Sequence, residues 1–251
     1  MSVNSVLIVV PTYQEAANIE NVLEQIREAY PPATVLVVDD NSPDGTANIA
    51  EKVGEKLGRV DVLRRPGKAG LGSAYRAGFA WGFDRDFDVF IEMDADLSHD
   101  PKALASLVQG IEEGADLVVG SRYVPGGAIP GWPAHRVLLS RYGNKYARLV
   151  LGLKLNDATS GYRAFRATKL ANIDFHNVRA DGYGFQIEMA YRMSRLGSVI
   201  REVPITFVDR TEGESKMSSR IIFEALALVT GWGFRDRILK RGWKKAVGGK
   251  S

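Results

Sequence analysis

Short apolar runs alternate with segments of helical periodicity through the first half of the chain, and no other feature restricts the fold so strongly. Residues 6–10 read Val-Leu-Ile-Val-Val, an uninterrupted run of the kind found in strands buried on both faces. Ile19, Val22, Leu23 and Ile26 then recur at helical spacing, and a second apolar run at 35–38 ends in Asp39 and Asp40. The rhythm continues with a helix over 46–57, a strand at 60–63, a helix opened by Gly72 and Ser73, and a strand at 88–93. A helix begun by Pro101 and a strand at 117–119 complete the series. Such alternation predicts an α/β fold, a mostly parallel sheet flanked by helices on both faces.

Beyond Ser121 the rhythm breaks. Residues 125–133, rich in Gly and Pro, read as a long loop, and loops of this kind in compact domains are often functional. A strand at 162–165, a helix near 185–196, an extended segment at 199–208 and a last helix from about Ser218 follow. The 251 residues contain no Pro/Gly/Ser-rich linker, so the chain reads as one domain over residues 1–230 and a tail over 231–251. Cysteine is absent, which excludes disulfides, thiolate metal sites and a cysteine nucleophile. Neither a cleavable leader nor an apolar run of the roughly 18 to 20 residues that a spanning helix needs is found. The net charge of +3 is concentrated at the end, where residues 235–251 hold seven Lys/Arg against Asp236. No basic stripe interleaved with aromatics runs through the domain, so no nucleic-acid partner is expected.

The sharpest chemical signal is Met93-Asp94-Ala95-Asp96-Leu97-Ser98-His99-Asp100-Pro101, directly after a buried strand. On extended backbone, residues two apart share a side, so Asp94 and Asp96 can converge on one point. Carboxylate oxygens suit Mg²⁺ or Mn²⁺, and Mg²⁺ is typically held by one or two carboxylates plus substrate phosphates. Pro11-Thr12-Tyr13-Gln14-Glu15 ends the first strand and residues 38–46, V-D-D-N-S-P-D-G-T, end the second. In a parallel sheet all three clusters meet at one edge, where α/β proteins bind ligands. Residues 67–72, G-K-A-G-L-G, match neither a dinucleotide fingerprint nor a P-loop, although Lys68 lies within reach of donor phosphates. Arg122, Arg136, Arg210 and Lys216 are loop cations, and the planar fork of Arg matches phosphate oxygens. The three histidines are scattered singly, and His99, beside the D-x-D, reads best as a cap.

The ordered set P-T-Y-Q-E, V-D-D-N-S-P-D-G-T, K-A-G-L-G-S-A, M-D-A-D-L-S-H-D-P, G-S-R-Y and T-S-G-Y-R resembles the dolichol-phosphate mannose synthases of the family 2 glycosyltransferases, over roughly residues 6–216. The resemblance implies a GT-A fold and transfer of mannose from GDP-mannose to a dolichyl or other polyprenyl phosphate, with Mg²⁺ or Mn²⁺. It implies that Pro11, Tyr13, Glu15, Val38 and Asp40 hold the nucleoside, and that Asp94, Ala95 and Asp96 hold the diphosphate, with Asp94 and Asp96 on the metal. Ser98 is at most a weak third ligand. The resemblance also places Arg210 and Lys216 over the nucleotide sugar and Arg122, Arg136 and Ser140 around the acceptor phosphate, with Asp94, Asp96 and Arg122 at the chemistry.

Two alternatives stay open on the residues alone: another donor such as UDP-glucose, or a non-catalytic subunit that binds a nucleotide. Toward its end the chain carries Ile221, Ile222, Ala225, Leu228, Val229 and Trp232 at helical spacing, then Phe234 and Trp243 among clustered cations. That composition predicts peripheral attachment to the cytoplasmic face of a membrane through residues after about 230, with an integral-membrane subunit as a further candidate partner.

Overall fold

The structure is a computed structural model that describes residues 3–178, 180–209 and 219–238, the side chains of 219–224 and 236–238 excepted. β-Branched residues dominate β1 (Val6–Thr12), and their alternation sends Leu7 and Val9 to one face of the sheet and Ile8 and Val10 to the other. Both faces are therefore covered. β1 pairs in parallel with β2 (Thr34–Asp39) on one side and with β4 (Val89–Glu92) on the other, while β3 (Val60–Arg64) extends β2 outward. The crossover helices are α1 (Ile19–Ala29), α2 (Thr46–Leu57) and α3 (Leu71–Phe83). A 3₁₀ turn at Pro101–Ala103 leads into α4 (Leu104–Glu112), which precedes β5 (Leu117–Ser121).

The seven strands run in the order β3-β2-β1-β4-β6-β5-β7, with β6 spanning Arg163–Arg166 and β7 spanning Ile200–Pro204. β6 is antiparallel to both neighbours, so β5 still points the same way as β4 and the expectation of a mostly parallel sheet holds. The chain turns from β3 back across β1 to β4, which makes the β1/β4 boundary a topological switch point. On one face α3 is pinned by Phe79, whose ring meets those of Phe90, Phe165 and Phe175 at 5.7–6.0 Å. A Cβ at Gly78 would come within 2.4 Å of Val9, so only glycine lets the helix lie this close to β1.

Three departures from the sequence reading concern the second half. The long helix α5 (Ala134–Leu151) was not anticipated, because its buried side is limited to Asn144 and Ala147 while Leu138, Leu139, Tyr142 and Leu149 face outward. A short α6 (Ala167–Leu170) follows β6, and α7 (Gly182–Arg195) packs on α3. The last helix, α8 (Ser219–Ile238), runs unbroken across residue 230, so the expected domain boundary falls inside a helix. Its apolar stripe faces the protein: Ala225 and Val229 are buried, and Trp232 stacks on Tyr191 at 6.0 Å. Trp243 and most of the basic tail lie outside the described residues. Among the described residues no helix is long and apolar enough to cross a membrane.

One buried carboxyl sits in the sheet itself. Glu92 lies opposite Arg163 in the β4/β6 pairing, fully buried, and neither of its oxygens meets a hydrogen-bond partner among the described residues. Arg163 directs its donors to the carbonyls of Ala158, Ser160 and Gln186, and the Gln186 amide adjoins Glu92 without reaching hydrogen-bond geometry. Burial therefore dominates, and with the neighbouring Arg163 only partly opposing it, the pKa rises from 4.5 to about 8. A raised folded-state pKa gives stability that is full below the unfolded value and lost as pH rises through the folded one. Thermal melts from pH 5 to 9 should show a steeper fall for the wild type than for Glu92→Gln. Parallel profiles would mean that Glu92 is ionised in the fold.

Candidate active site

The parallel strands deliver β1, β2, β4 and β5 to one edge, and a cavity of about 620 Å³ opens there. Its walls contain Pro11, Tyr13, Glu15, Asp40, Lys68, Asp94, Ala95, Asp96, Arg122 and Arg136, ten of the expected residues. Val38 is not among them. Its side chain packs in the core between the sheet and α3. Ser140 lies instead on a second cavity of about 520 Å³ and accepts a 2.7 Å hydrogen bond from the Tyr123 hydroxyl. Arg210 and Lys216 lie outside the described residues.

The two loops after β1 and β2 are locked to each other. Asp39 accepts from the Thr12 hydroxyl at 2.9 Å and from the amide and hydroxyl of Ser42, while the Thr46 hydroxyl accepts the Glu15 amide at 3.0 Å. Asp39 is thus committed to the loops, and Asp40 faces the cavity. Burial raises the Asp40 pKa, against the Ala69 amide and Arg65, which lies 2.9 Å away. Lys68 sits over the Tyr13 ring at 4.2 Å from its centre. Gly70, at φ +91°, passes so close to Asp181 that any Cβ would overlap its carboxylate, which accepts the Gly72 amide at 2.8 Å and so caps α3 from afar.

The D-x-D loop turns at Leu97, whose φ is +62°, and Asp96 accepts the Ser98 amide at 3.0 Å. Asp94 is half-buried and receives the hydroxyl of Tyr75, a phenol whose pKa burial and Asp94 push upward. Ser98 Oγ is buried beside these carboxylates and has no hydrogen-bond partner among the described residues. Two carboxylates and an orphaned hydroxyl form a donor set that suits a hard divalent cation, with diphosphate and water completing it. No cluster of three or more His, Cys, Asp or Glu with ligand geometry occurs among the described residues. His99 lies beside this set with its Nδ1 accepting the Asp94 amide at 3.2 Å and standing 4.0 Å from the Asp94 carboxylate.

Arg122, expected to offer its fork to a phosphate, turns most of that fork to a carboxylate. Nε and Nη2 each bond Asp157 at 2.7 Å, Nη2 also reaches Thr159, and the pair is almost fully buried. Burial alone would lower the Arg122 pKa, but Asp157 outweighs it and raises it; the same pairing holds Asp157 low against its own burial. Only Nη1 lacks a hydrogen bond among the described residues. Arg136 is placed differently, stacked over Trp132 at 3.8 Å with Nη1 on the half-exposed Asp209 at 2.7 Å. Arg122, Trp132, Arg136, Thr159 and Tyr183 line both cavities and form the wall between them. Asp157, Asp181 and Gln186 were not anticipated: the first two meet their partners across long stretches of sequence, and only the T-S-G-Y-R run lay close to the first.

The glycosyl transferase family 2 model matches residues 7–173. The chain belongs to that family. This family 2 glycosyltransferase is 50% identical over 232 residues to an undecaprenyl-phosphate mannosyltransferase of Micrococcus luteus, covering 92% of this chain and 95% of the relative. It is 46% identical over 233 residues to a polyprenol monophosphomannose synthase of Mycolicibacterium smegmatis, covering 92% and 88%. Among solved structures it is similar to glucosyl-3-phosphoglycerate synthase from Mycobacterium tuberculosis in complex with Mn²⁺, UDP-glucose and phosphoglyceric acid. That likeness has a TM-score of 0.65 at 22% identity, over 90% of this chain and 80% of that one, and agrees with the expected GT-A architecture.

The two arginines should differ sharply in energetic weight. Removing one partner of a buried ion pair strands the other, so Asp157→Asn should destabilise the glycosyltransferase by about 3–5 kcal/mol in urea unfolding. Asp209→Asn, at a half-exposed pair, should cost no more than about 1 kcal/mol.

Proposed function

We propose that this glycosyltransferase moves a mannosyl group from GDP-mannose onto the phosphate of a polyprenyl phosphate. The observation that carries the reading is the pair of adjoining cavities: a polar one floored by Asp94 and Asp96, and a largely apolar one walled by Leu139, Tyr142, Tyr146, Ile187 and Val229. A nucleotide sugar suits the first and a hydrocarbon tail the second, and their shared wall holds Arg122 and Arg136 where the acceptor's phosphate must lie. The names of the 46–50% identical relatives favour mannose and a polyprenyl acceptor over UDP-glucose or a non-catalytic role.

A phosphate monoester has a second pKa near 6, so the acceptor is largely dianionic at neutral pH and needs no general base. One phosphate oxygen bonds to the anomeric carbon as the bond to the GDP oxygen breaks, and a single displacement inverts the configuration. Asp94 and Asp96 would hold a divalent cation, Mg²⁺ or Mn²⁺, a choice that the Mn²⁺ complex of the similar synthase also favours; when bound, it neutralises charge on the diphosphate. Pro11, Tyr13, Glu15 and Asp40 would seat the nucleoside, Ala95 would lie against the donor through its backbone, and Arg210 and Lys216 would close over it. Arg136, with the Nη1 edge of Arg122 and Ser140 nearby, would position the acceptor.

The lipid must be met at a surface, and α5 offers one. Leu138, Leu139, Tyr142 and Leu149 are exposed there among Arg141, Lys145 and Arg148, and α5 contains no acidic residue. Apolar rings and chains flanked by cations suit an anionic bilayer surface. This face, beside the apolar cavity, is a proposed contact together with the residues after about 230; an integral-membrane subunit would dock next to it.

Incubating the purified protein with labelled GDP-mannose, Mg²⁺ or Mn²⁺ and a polyprenyl phosphate should give a mannosylated lipid, and UDP-glucose in its place should give far less. Asp96→Asn keeps an acceptor for the Ser98 amide yet loses the charge, so turnover should fall about 10²–10³-fold with little change in melting. Comparable turnover from both donors would overturn the mannose assignment. The double substitution Leu138→Glu, Leu149→Glu should abolish sedimentation with anionic vesicles while leaving transfer to a short, water-soluble polyprenyl phosphate intact; unchanged sedimentation would remove α5 from the membrane contact.

A further inference from the structure

We infer that His99 is a positioning residue for the D-x-D loop, its Nδ1 fixing the backbone at Asp94 while its ring ties that loop to the segment that carries Asp209. The inference rests on the reading of Asp94 and Asp96 as holders of a divalent cation and a diphosphate. His99 is 2% exposed, so the hydrogen bond it accepts from the Asp94 amide is partly shielded from water. Losing that acceptor would leave the amide to find another in a buried setting, which is costly. The bond also closes the loop on itself: residue 99 returns to residue 94, and the two carboxylates lie on the enclosed turn.

The imidazole is clamped from two directions. It stacks on Tyr162 at 4.9 Å, and the Tyr162 hydroxyl donates to the Asp100 carbonyl at 3.2 Å, so one tyrosine holds both the ring and the residue after it. Phe207 meets the ring edge-on at 5.6 Å and meets Trp132 edge-on at 5.7 Å. Backbone bonds follow the same path, from the Val208 amide to the Ser98 carbonyl and from the Phe207 amide to the Ala128 carbonyl. The chain then reaches Asp209 and its ion pair with Arg136. Thus a single side chain joins the loop under the donor to the strap beside the acceptor, through contacts that have nothing to do with proton transfer.

Two substitutions separate the parts. His99→Phe keeps a flat ring between Tyr162 and Phe207 but has no acceptor; His99→Asn offers Oδ1 as acceptor with little ring surface. Binding of Mn²⁺ is read by electron paramagnetic resonance on the intact chain with GDP present and no acceptor, so nothing turns over. Groups that orient metal-holding side chains typically change affinity by about 10–100-fold, and that loss is expected for His99→Phe, with His99→Asn restoring most of it. Should His99→Phe fail to fold, His99→Gln takes its place, with its acceptor one bond farther out, and must bind Mn²⁺ more weakly than His99→Asn. Wild-type affinity in His99→Phe, or equal losses in the Phe and Asn variants with matching drops in melting temperature, would overturn the positioning role. A wild-type chain that binds no Mn²⁺ with GDP would instead overturn the metal reading beneath it, and the two failures are told apart by that control.

Discussion

Two guanidiniums held out of water, Arg122 and Arg163, organise the half of the molecule that faces the acceptor. A cation removed from solvent costs several kcal/mol unless each donor is matched, so the surrounding backbone must be arranged to match it. Arg163 is met by the carbonyls of Ala158, Ser160 and Gln186 at 2.6–2.7 Å, and Arg122 by Asp157 and Thr159. The residues between, 157–161, are therefore pinned from both sides, and the Ser160 hydroxyl adds a third tie to the Gly120 carbonyl. Asn144 extends the lattice to α5 by accepting the Ala158 amide at 2.7 Å. This network fixes the Arg122 and Thr159 side of the wall between the cavities.

This explains which parts of the molecule were legible in the sequence. Strands β1, β2, β4 and β5 announced themselves because burial on both faces demands apolar runs, and the helices between them carry their apolar stripes inward. The D-x-D was legible because its geometry is local: two carboxylates two residues apart at the end of a strand. α5 was not, since Leu138, Leu139 and Leu149 point outward and only Asn144 and Ala147 are fully buried. Asp157 and Asp181 were equally hidden, as each answers a partner 35 or 109 residues away and has no local pattern. Val38, supplied by the resemblance, carries its side chain in the core, so any contact it makes with a nucleoside would be through its backbone.

The charges that line the first cavity bear on the proposed cation. Among the described residues its walls hold six carboxylates, those of Glu15, Asp40, Asp94, Asp96, Asp181 and Asp209, against the three cations Lys68, Arg122 and Arg136. Arg122 is already neutralised by Asp157 and Arg136 by Asp209. A nucleoside diphosphate approaching this field alone would meet repulsion from the carboxylates nearest the strand edge. On the proposed function, a divalent ion on Asp94 and Asp96 would reverse the local sign and make donor and metal more favourable together than either alone.

The acceptor phosphate poses the opposite problem, because both arginines that could meet it are already paired. Magnitudes decide between them. Breaking the Arg122 pair would strand a buried carboxylate at a cost of about 3–5 kcal/mol, more than a single phosphate contact returns. The Arg136 pair involves a half-exposed aspartate and is worth about 1 kcal/mol or less, while the Trp132 ring holds the guanidinium flat whether or not Asp209 is bound to it. On the proposed function, then, Arg136 exchanges Asp209 for the lipid phosphate, and Arg122 contributes through its remaining Nη1 edge and a fixed positive field. The same exchange would release Asp209 from the cavity wall just as the dianion arrives, removing a repulsive carboxylate from the position where the transferring oxygen must stand.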